Sequence, residues 1–82
     1  MHIRLEKIVP EKRQHRFYVM HVTRTLFDEW CLIREWGRIG SRGGQKLVDY
    51  TDSKEEAETA LHKLFGQKCR RGYQLCEMSP TF

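Results

Sequence analysis

The alternation of hydrophobic and polar positions predicts four strands in the first fifty residues. Alternating apolar residues predict a strand over Ile3–Val9, and aromatic and β-branched residues predict a second over Arg16–Val22. Both alternating sets of the second strand are apolar, which is typical of a central strand covered on both faces. Period-two patterning predicts a third strand over Glu29–Ile39, and Gln45–Tyr50 predicts a fourth.

The connections between these strands differ in character. Residues 10–15 begin with a proline and continue with charged and polar residues, which is typical of a loop. Residues 23–28 form the next connection, where we expect Leu26 and Phe27 to pack into the interior. The glycine-rich run Gly40–Gly44 predicts a flexible turn into the fourth strand.

A helix is predicted after the fourth strand. Ser53 and Glu56 have the spacing of a capping box, and Gly72 has the position of a residue just beyond the helix end. Gly66 lies within the helix and weakens it by up to about 1 kcal/mol relative to alanine. One apolar stripe is predicted to face the sheet: Ala57, Ala60, Leu61, Leu64, Phe65 and Cys69.

These elements predict an α+β fold, in which an antiparallel sheet of four to five strands carries one helix between its last two strands. Tyr73–Cys76 is the predicted closing strand. A chain of 82 residues has the length of one domain. We expect that domain to span residues 1–76, to be monomeric, and to be followed by a frayed tail over residues 77–82.

Charge is segregated along the chain, which has a formal net charge of +4. Between Lys12 and Lys46 there are eight Lys or Arg residues and three acids. Between Asp49 and Glu58 there are five acids, and Lys54 is the single cation. This separation is expected where one surface attracts polyanions. Lys and Arg also serve solubility alone, so charge by itself does not choose between these roles.

Cysteine and histidine usage points away from disulfides, metals and catalysis. The chain has three cysteines, which is an odd number, and no two of them form a CxxC pair: Cys31, Cys69 and Cys76. This usage favours a reducing compartment. No histidine or cysteine has zinc-ligand spacing, and no acid, base and nucleophile combine. We therefore expect no cofactor, no metal and no enzymatic activity. The first ten residues lack the apolar run of a signal peptide, so we expect a cytoplasmic protein.

The third predicted strand carries the candidate site. Side chains two residues apart on a strand lie on the same face, roughly 6.5–7 Å apart. One face therefore carries Trp30, Leu32, Arg34, Trp36 and Arg38. We expect Trp30 and Leu32 to pack in the core. The indole of Trp36 can stack on a sugar or base, and the guanidinium of Arg38 can bind phosphate through two hydrogen bonds.

Neighbouring residues extend this candidate site. Gly37 lies between the two side chains and allows a close approach of backbone or ligand. Strand parity and proximity add three further candidate phosphate contacts: Arg34, Arg42 and Lys46.

The segment Trp36–Gly40, with the sequence WGRIG, resembles the signature of the WGR domain family, which includes a module of DNA-dependent poly(ADP-ribose) polymerases and stand-alone bacterial proteins. Further similarities are the segment Arg16–Tyr18, the helix within Asp52–Leu64 and the basic stretch Lys68–Tyr73. The resemblance extends from about Ile3 to Leu75.

The resemblance implies an antiparallel sheet with one helix and a role in binding nucleic acid, DNA more than RNA. In polymerase members the motif tryptophan contacts a sugar near a strand end, and the arginine contacts the backbone and neighbouring domains. These roles fall on Trp36 and Arg38 here. The alternative is a protein-interaction module in which the same two residues are anchors, since Trp and Arg are enriched in binding hot spots.

Overall fold

The computed structural model describes residues 1–79. Five strands, one α-helix and a short 3₁₀ helix follow one another in this order: β1 (His2–Val9), the 3₁₀ helix (Pro10–Lys12), β2 (Gln14–Arg24), β3 (Trp30–Arg38), β4 (Gln45–Thr51), α1 (Lys54–Arg70) and β5 (Gln74–Ser79).

The five strands form one antiparallel sheet in the order β4-β3-β2-β1-β5. Consecutive hairpins join the first four strands, and β2 lies at the centre of the sheet as its hydrophobic pattern predicts. Helix α1 connects β4 at one edge to β5 at the other. The chain must therefore cross the sheet, and α1 covers one face in doing so.

The core lies between α1 and this face, which we call the helix face. Ala57 and Leu61 of α1 are completely buried there. Burying an aliphatic side chain of the size of Leu, Ile or Met contributes about 1.5–3 kcal/mol. The buried cluster consists of Ile3, Leu5, Tyr18, Met20, Val22, Leu32, Ala57 and Leu61.

The predicted α+β fold, with an antiparallel sheet and a helix between β4 and β5, is confirmed. Strand β5 continues to Ser79, beyond the boundary expected at Cys76. The rest of the expected tail, residues 80–82, lies outside the described residues. The apolar stripe of α1 holds as far as Phe65, but Cys69 is exposed and does not act as a small core hydrophobe.

The second face of the sheet, which we call the open face, has no helix on it among residues 1–79. The expectation that β2 is covered on both faces is therefore wrong for this side. Phe17 and Val19 on the open face are half-buried. The guanidinium of Arg4 lies 5.1 Å from the ring centroid of Phe17, so long side chains shield the apolar residues that no element covers.

The expected burial of Leu26 and Phe27 is also wrong. Leu26 is 102% exposed and Phe27 is 84% exposed. Both lie in the tight turn between β2 and β3, where the backbone reverses direction beyond the end of the sheet. Side chains at that position have no strand beside them and no helix above them.

No helix within residues 1–79 combines the length and the apolar character needed to cross a membrane.

Candidate nucleic-acid interface

Strand β3 carries Trp36 and Arg38 past the end of α1. The first half of the strand lies under the helix, where Leu32 is buried and Trp30 packs against the core. The last turn of α1 ends near Trp36, because Lys68 contacts Tyr18, the cross-strand partner of Trp36. Trp36 is consequently half-buried and Arg38 is exposed, both on the helix face.

Trp36 belongs to a group of three aromatic rings. Its indole stacks on the ring of Tyr18, with 5.6 Å between centroids and 13° between planes. Tyr73, which follows α1, meets Tyr18 edge to face at 6.2 Å. Stacking occupies one side of the indole, so only its other side and its edge are available to a ligand.

A lysine from the last turn of α1 completes this group. The ammonium nitrogen of Lys68 lies 4.4 Å from the ring centroid of Tyr18 and 5.8 Å from that of Tyr73. Burial lowers the pKa of Lys68, and the nearby positive charges of Arg71 and Arg34 lower it further. The three rings are therefore held beside concentrated positive charge.

A row of cations crosses the sheet next to the aromatic rings. Arg38 lies directly opposite Arg16 of β2, and Arg16 lies directly opposite Lys7 of β1. Residues paired in this way have their side chains on the same face, where like charges are destabilising. Stabilisation of the sheet therefore does not explain why these cations lie opposite one another.

These cations also lack acidic partners. Within residues 1–79, four other cations lie within 4.0 Å of a carboxylate: Arg4, Arg24, Arg34 and Lys46. Lys7, Arg16 and Arg38 form no such pair in that part of the chain. The charges are thus available to an anion from outside the protein.

Two of these rings, those of Trp36 and Tyr73, and two of these cations, Arg16 and Arg38, line a cleft of about 430 Å³, which we call the Trp36 cleft. One wall is the connection between β1 and β2, another is the end of β3, and Tyr73 closes a third side. The lining residues are Lys12, Arg13, Gln14, His15, Arg16, Trp36, Gly37, Arg38 and Tyr73.

Sequence reasoning placed Trp36, Gly37 and Arg38 together, and the structure brings all three to this cleft. It missed Lys12, Arg13 and Arg16, which it assigned to a loop and to a core strand. The run of basic residues around the start of β2 is the feature of the sequence that could have identified them. Only the pairing of β2 with β3 shows that this run lies beside the tryptophan.

The glycines near the motif have a steric role. A Cβ on Gly44 would lie 2.6 Å from the carbonyl oxygen of Trp36, and one on Gly37 would lie 3.2 Å from Cα of Gly44. The Cβ on Gly37 would also lie 3.3 Å from the Phe17 ring. The turn after β3 therefore packs against the motif backbone, and the close approach predicted at Gly37 is an approach of the chain to itself.

The remaining candidates are placed differently. The guanidinium of Arg34 is 3.1 Å from the carboxylate of Asp49, and its side chain is only 21% exposed. Lys46 pairs with Glu35 at 3.8 Å, on the open face. Arg42 lies in the exposed turn and does not line the Trp36 cleft. Contact of these three residues with nucleic acid stays a prediction.

Comparison with known proteins gives two matches. The WGR domain model matches residues 1–79. An uncharacterized protein, y4dW, of Sinorhizobium fredii (strain NBRC 101917 / NGR234) is 37% identical over 70 residues, which cover 85% of this chain and 34% of that protein. The chain thus spans about a third of the length of this relative. No solved structure matches the chain significantly. On the family match, which covers nearly every residue, the chain belongs to the WGR domain family.

Proposed function

We propose that this chain is a non-enzymatic module that binds the sugar–phosphate backbone of nucleic acid in the Trp36 cleft. Membership of the WGR domain family is consistent with a small nucleic-acid-binding module. The observation that carries the proposal is the cross-strand pair of Arg16 and Arg38, two cations that have no acidic partner within residues 1–79 and lie beside a half-buried indole.

Each part of the cleft has a role in this proposal. Arg16 and Arg38 bind phosphate oxygens, and guanidinium groups do so with two parallel hydrogen bonds. The free side of Trp36 packs against a sugar or base, which is worth about 1–3 kcal/mol for a stacked base. Lys12 and Arg13 lie along the same cleft and extend the path for the backbone.

The lining of the cleft favours a polyanion as its principal partner over the alternative of protein recognition. It gathers four cations, Lys12, Arg13, Arg16 and Arg38, and lysine is depleted in protein–protein interfaces. Among the described residues that line it, none is a carboxylate. The cleft therefore lacks an acidic general base, and we propose no catalytic role for it. DNA is the proposed partner, in line with the resemblance, and RNA is a separate arm of the test.

The experiment is a binding titration by fluorescence anisotropy at low salt, with labelled single-stranded DNA, blunt duplex, nicked duplex and RNA. The test variant is R16Q/R38Q. Both side chains are exposed, so the fold should be retained. Loss of charge-assisted hydrogen bonds worth about 1.5–3 kcal/mol each should weaken binding at least tenfold.

A control is K63Q, which removes an exposed cation of α1 that does not line the Trp36 cleft and should change affinity less than twofold. Circular dichroism checks that both variants are folded. If R16Q/R38Q is folded and binds every nucleic acid as tightly as the parent, the proposed function is wrong.

A further inference from the structure

The turn between β2 and β3 presents two adjacent apolar side chains to solvent. Leu26 is 102% exposed and Phe27 is 84% exposed, and we call this pair the Leu26–Phe27 tip. Single exposed apolar residues are ordinary on protein surfaces. Two in succession at the end of a hairpin form a projecting apolar contact that can enter a pocket.

The tip is held in shape by its own turn. The hydroxyl of Thr25 accepts hydrogen bonds from the amides of Phe27 and Glu29, both at 3.2 Å. The amide of Thr25 donates to the carbonyl of Glu29 at 2.8 Å, and Asp28 adopts a left-handed backbone conformation with φ of 67°. A preorganised contact loses little conformational entropy on binding.

The surroundings of the tip are acidic. Helix α1 begins at this end of the molecule, because Thr51 at the end of β4 pairs with Trp30 at the start of β3. The guanidinium of Arg24 lies 3.1 Å from the carboxylate of Asp28, so these two charges offset each other. The other charged groups at this end are the ammonium groups of Met1 and Lys54 and the carboxylates of Glu29, Asp52, Glu55, Glu56 and Glu58. Acids outnumber cations, which disfavours nucleic-acid phosphates and anionic lipids as partners and favours an apolar pocket with a cationic rim.

The Trp36 cleft has this complementary chemistry. It combines the rings of Trp36 and Tyr73 with unpaired cations, and its volume of about 430 Å³ accommodates an aromatic side chain. The cleft and the tip lie at opposite ends of β3, whose nine residues span about 26 Å at the rise of an extended strand. A molecule cannot place its own tip in its own cleft.

We propose that the Leu26–Phe27 tip of one molecule docks in the Trp36 cleft of a second copy, with Glu29 facing Arg16 and Arg38. The contact is head to tail and leaves a free tip and a free cleft at the ends of each assembly, so it can continue into longer chains. It departs from the monomer expected from the sequence. It uses the shape and charge of the cleft and does not require nucleic acid, but a cleft that holds a tip cannot hold nucleic acid at the same time.

Sedimentation velocity of the untagged protein over a concentration series tests this contact. The weight-average mass should rise above the 9.9 kDa of one chain as concentration increases into the sub-millimolar range. A tip variant, L26S/F27S, and a cleft variant, R16E/R38E, should each remain monomeric at concentrations where the parent associates. All four substituted side chains are exposed, and circular dichroism confirms that the variants are folded.

Mixing the two variants gives the decisive readout. An equimolar mixture should form assemblies of two chains and no larger, since only one intact tip and one intact cleft remain for each pair. A monomeric parent at every concentration, a tip variant that associates like the parent, or a mixture that stays monomeric would each overturn the proposal. At protein concentrations below those at which the parent associates, the tip variant should bind DNA like the parent, so failure of this contact leaves the proposed function unaffected.

Discussion

Gly44 shows how one residue without a side chain shapes the Trp36 cleft. Its Cα lies against the backbone of β3, where a Cβ would come within 2.6 Å of the carbonyl oxygen of Trp36. This contact is with backbone, so it cannot be relieved by rotating a side chain. The glycine-rich turn is therefore a packing requirement of the motif as well as a flexible connection.

Substitution of Gly44 by alanine should lower the free energy of unfolding by about 1–3 kcal/mol, as overpacking does elsewhere. Urea denaturation followed by tryptophan fluorescence measures the change. Gly43 is the matched control, because a Cβ there meets nothing within 4 Å and only its φ of 79° opposes alanine. A smaller loss for G44A than for G43A would contradict the steric account.

The sequence alone predicts where some residues of the candidate site lie, but not where the others lie. Trp36 and Arg38 share a strand, so parity alone places them on one face. Arg16 belongs to another strand, and its position opposite Arg38 depends on register, which a single sequence does not reveal. Lys46 is predicted from strand parity and proximity to the motif, and the register of β3 with β4 places it opposite Glu35 on the open face.

Helix α1 was the most predictable element, because its start, its end and its buried face each have a local signal. The amide of Glu56 donates to the hydroxyl of Ser53 at 3.1 Å, and the carboxylate of Glu56 accepts from the amide of Asp52 at 3.4 Å. Gly72 has a φ of 97°, as expected of a residue that ends a helix. Local hydrogen bonds of this kind are determined by residues only three or four apart.

Gly66 is a weak point in this helix that can be repaired. The nearest atom to a Cβ at this position is a guanidinium nitrogen of Arg70 at 3.5 Å, which is an ordinary contact at the end of a flexible side chain. G66A should therefore raise the free energy of unfolding by about 0.5–1 kcal/mol. Thermal or urea denaturation measures the gain, and a loss of stability would show that the glycine has a packing role.

The hairpin between β2 and β3 was less predictable than the helix. The sequence predicts both strands of this hairpin. It also predicts that Leu26 and Phe27 of the turn lie in the core, but both side chains are exposed. Apolar character normally indicates burial, and nothing in the local sequence shows that this turn extends beyond α1. Residues that break the rule in this way are candidates for a binding role.

At the scale of the whole molecule, the sheet separates charge between the two ends of β3. Among the described residues, cations without an acidic partner gather around the Trp36 cleft, and acids gather around the Leu26–Phe27 tip and the start of α1. The segregation visible along the sequence thus becomes a separation in space. A polyanion should be drawn to the cleft end and repelled from the tip end.

This arrangement makes the salt dependence of DNA binding the most direct test of the central claim that the cleft binds phosphates. If four cleft cations contact single-stranded DNA, the logarithm of the association constant should fall against the logarithm of salt concentration with a slope of about −3. In R16Q/R38Q the slope should become shallower by about 1.4, since two phosphate contacts are lost. A parent slope near zero, or an unchanged slope in the folded variant, would contradict the account.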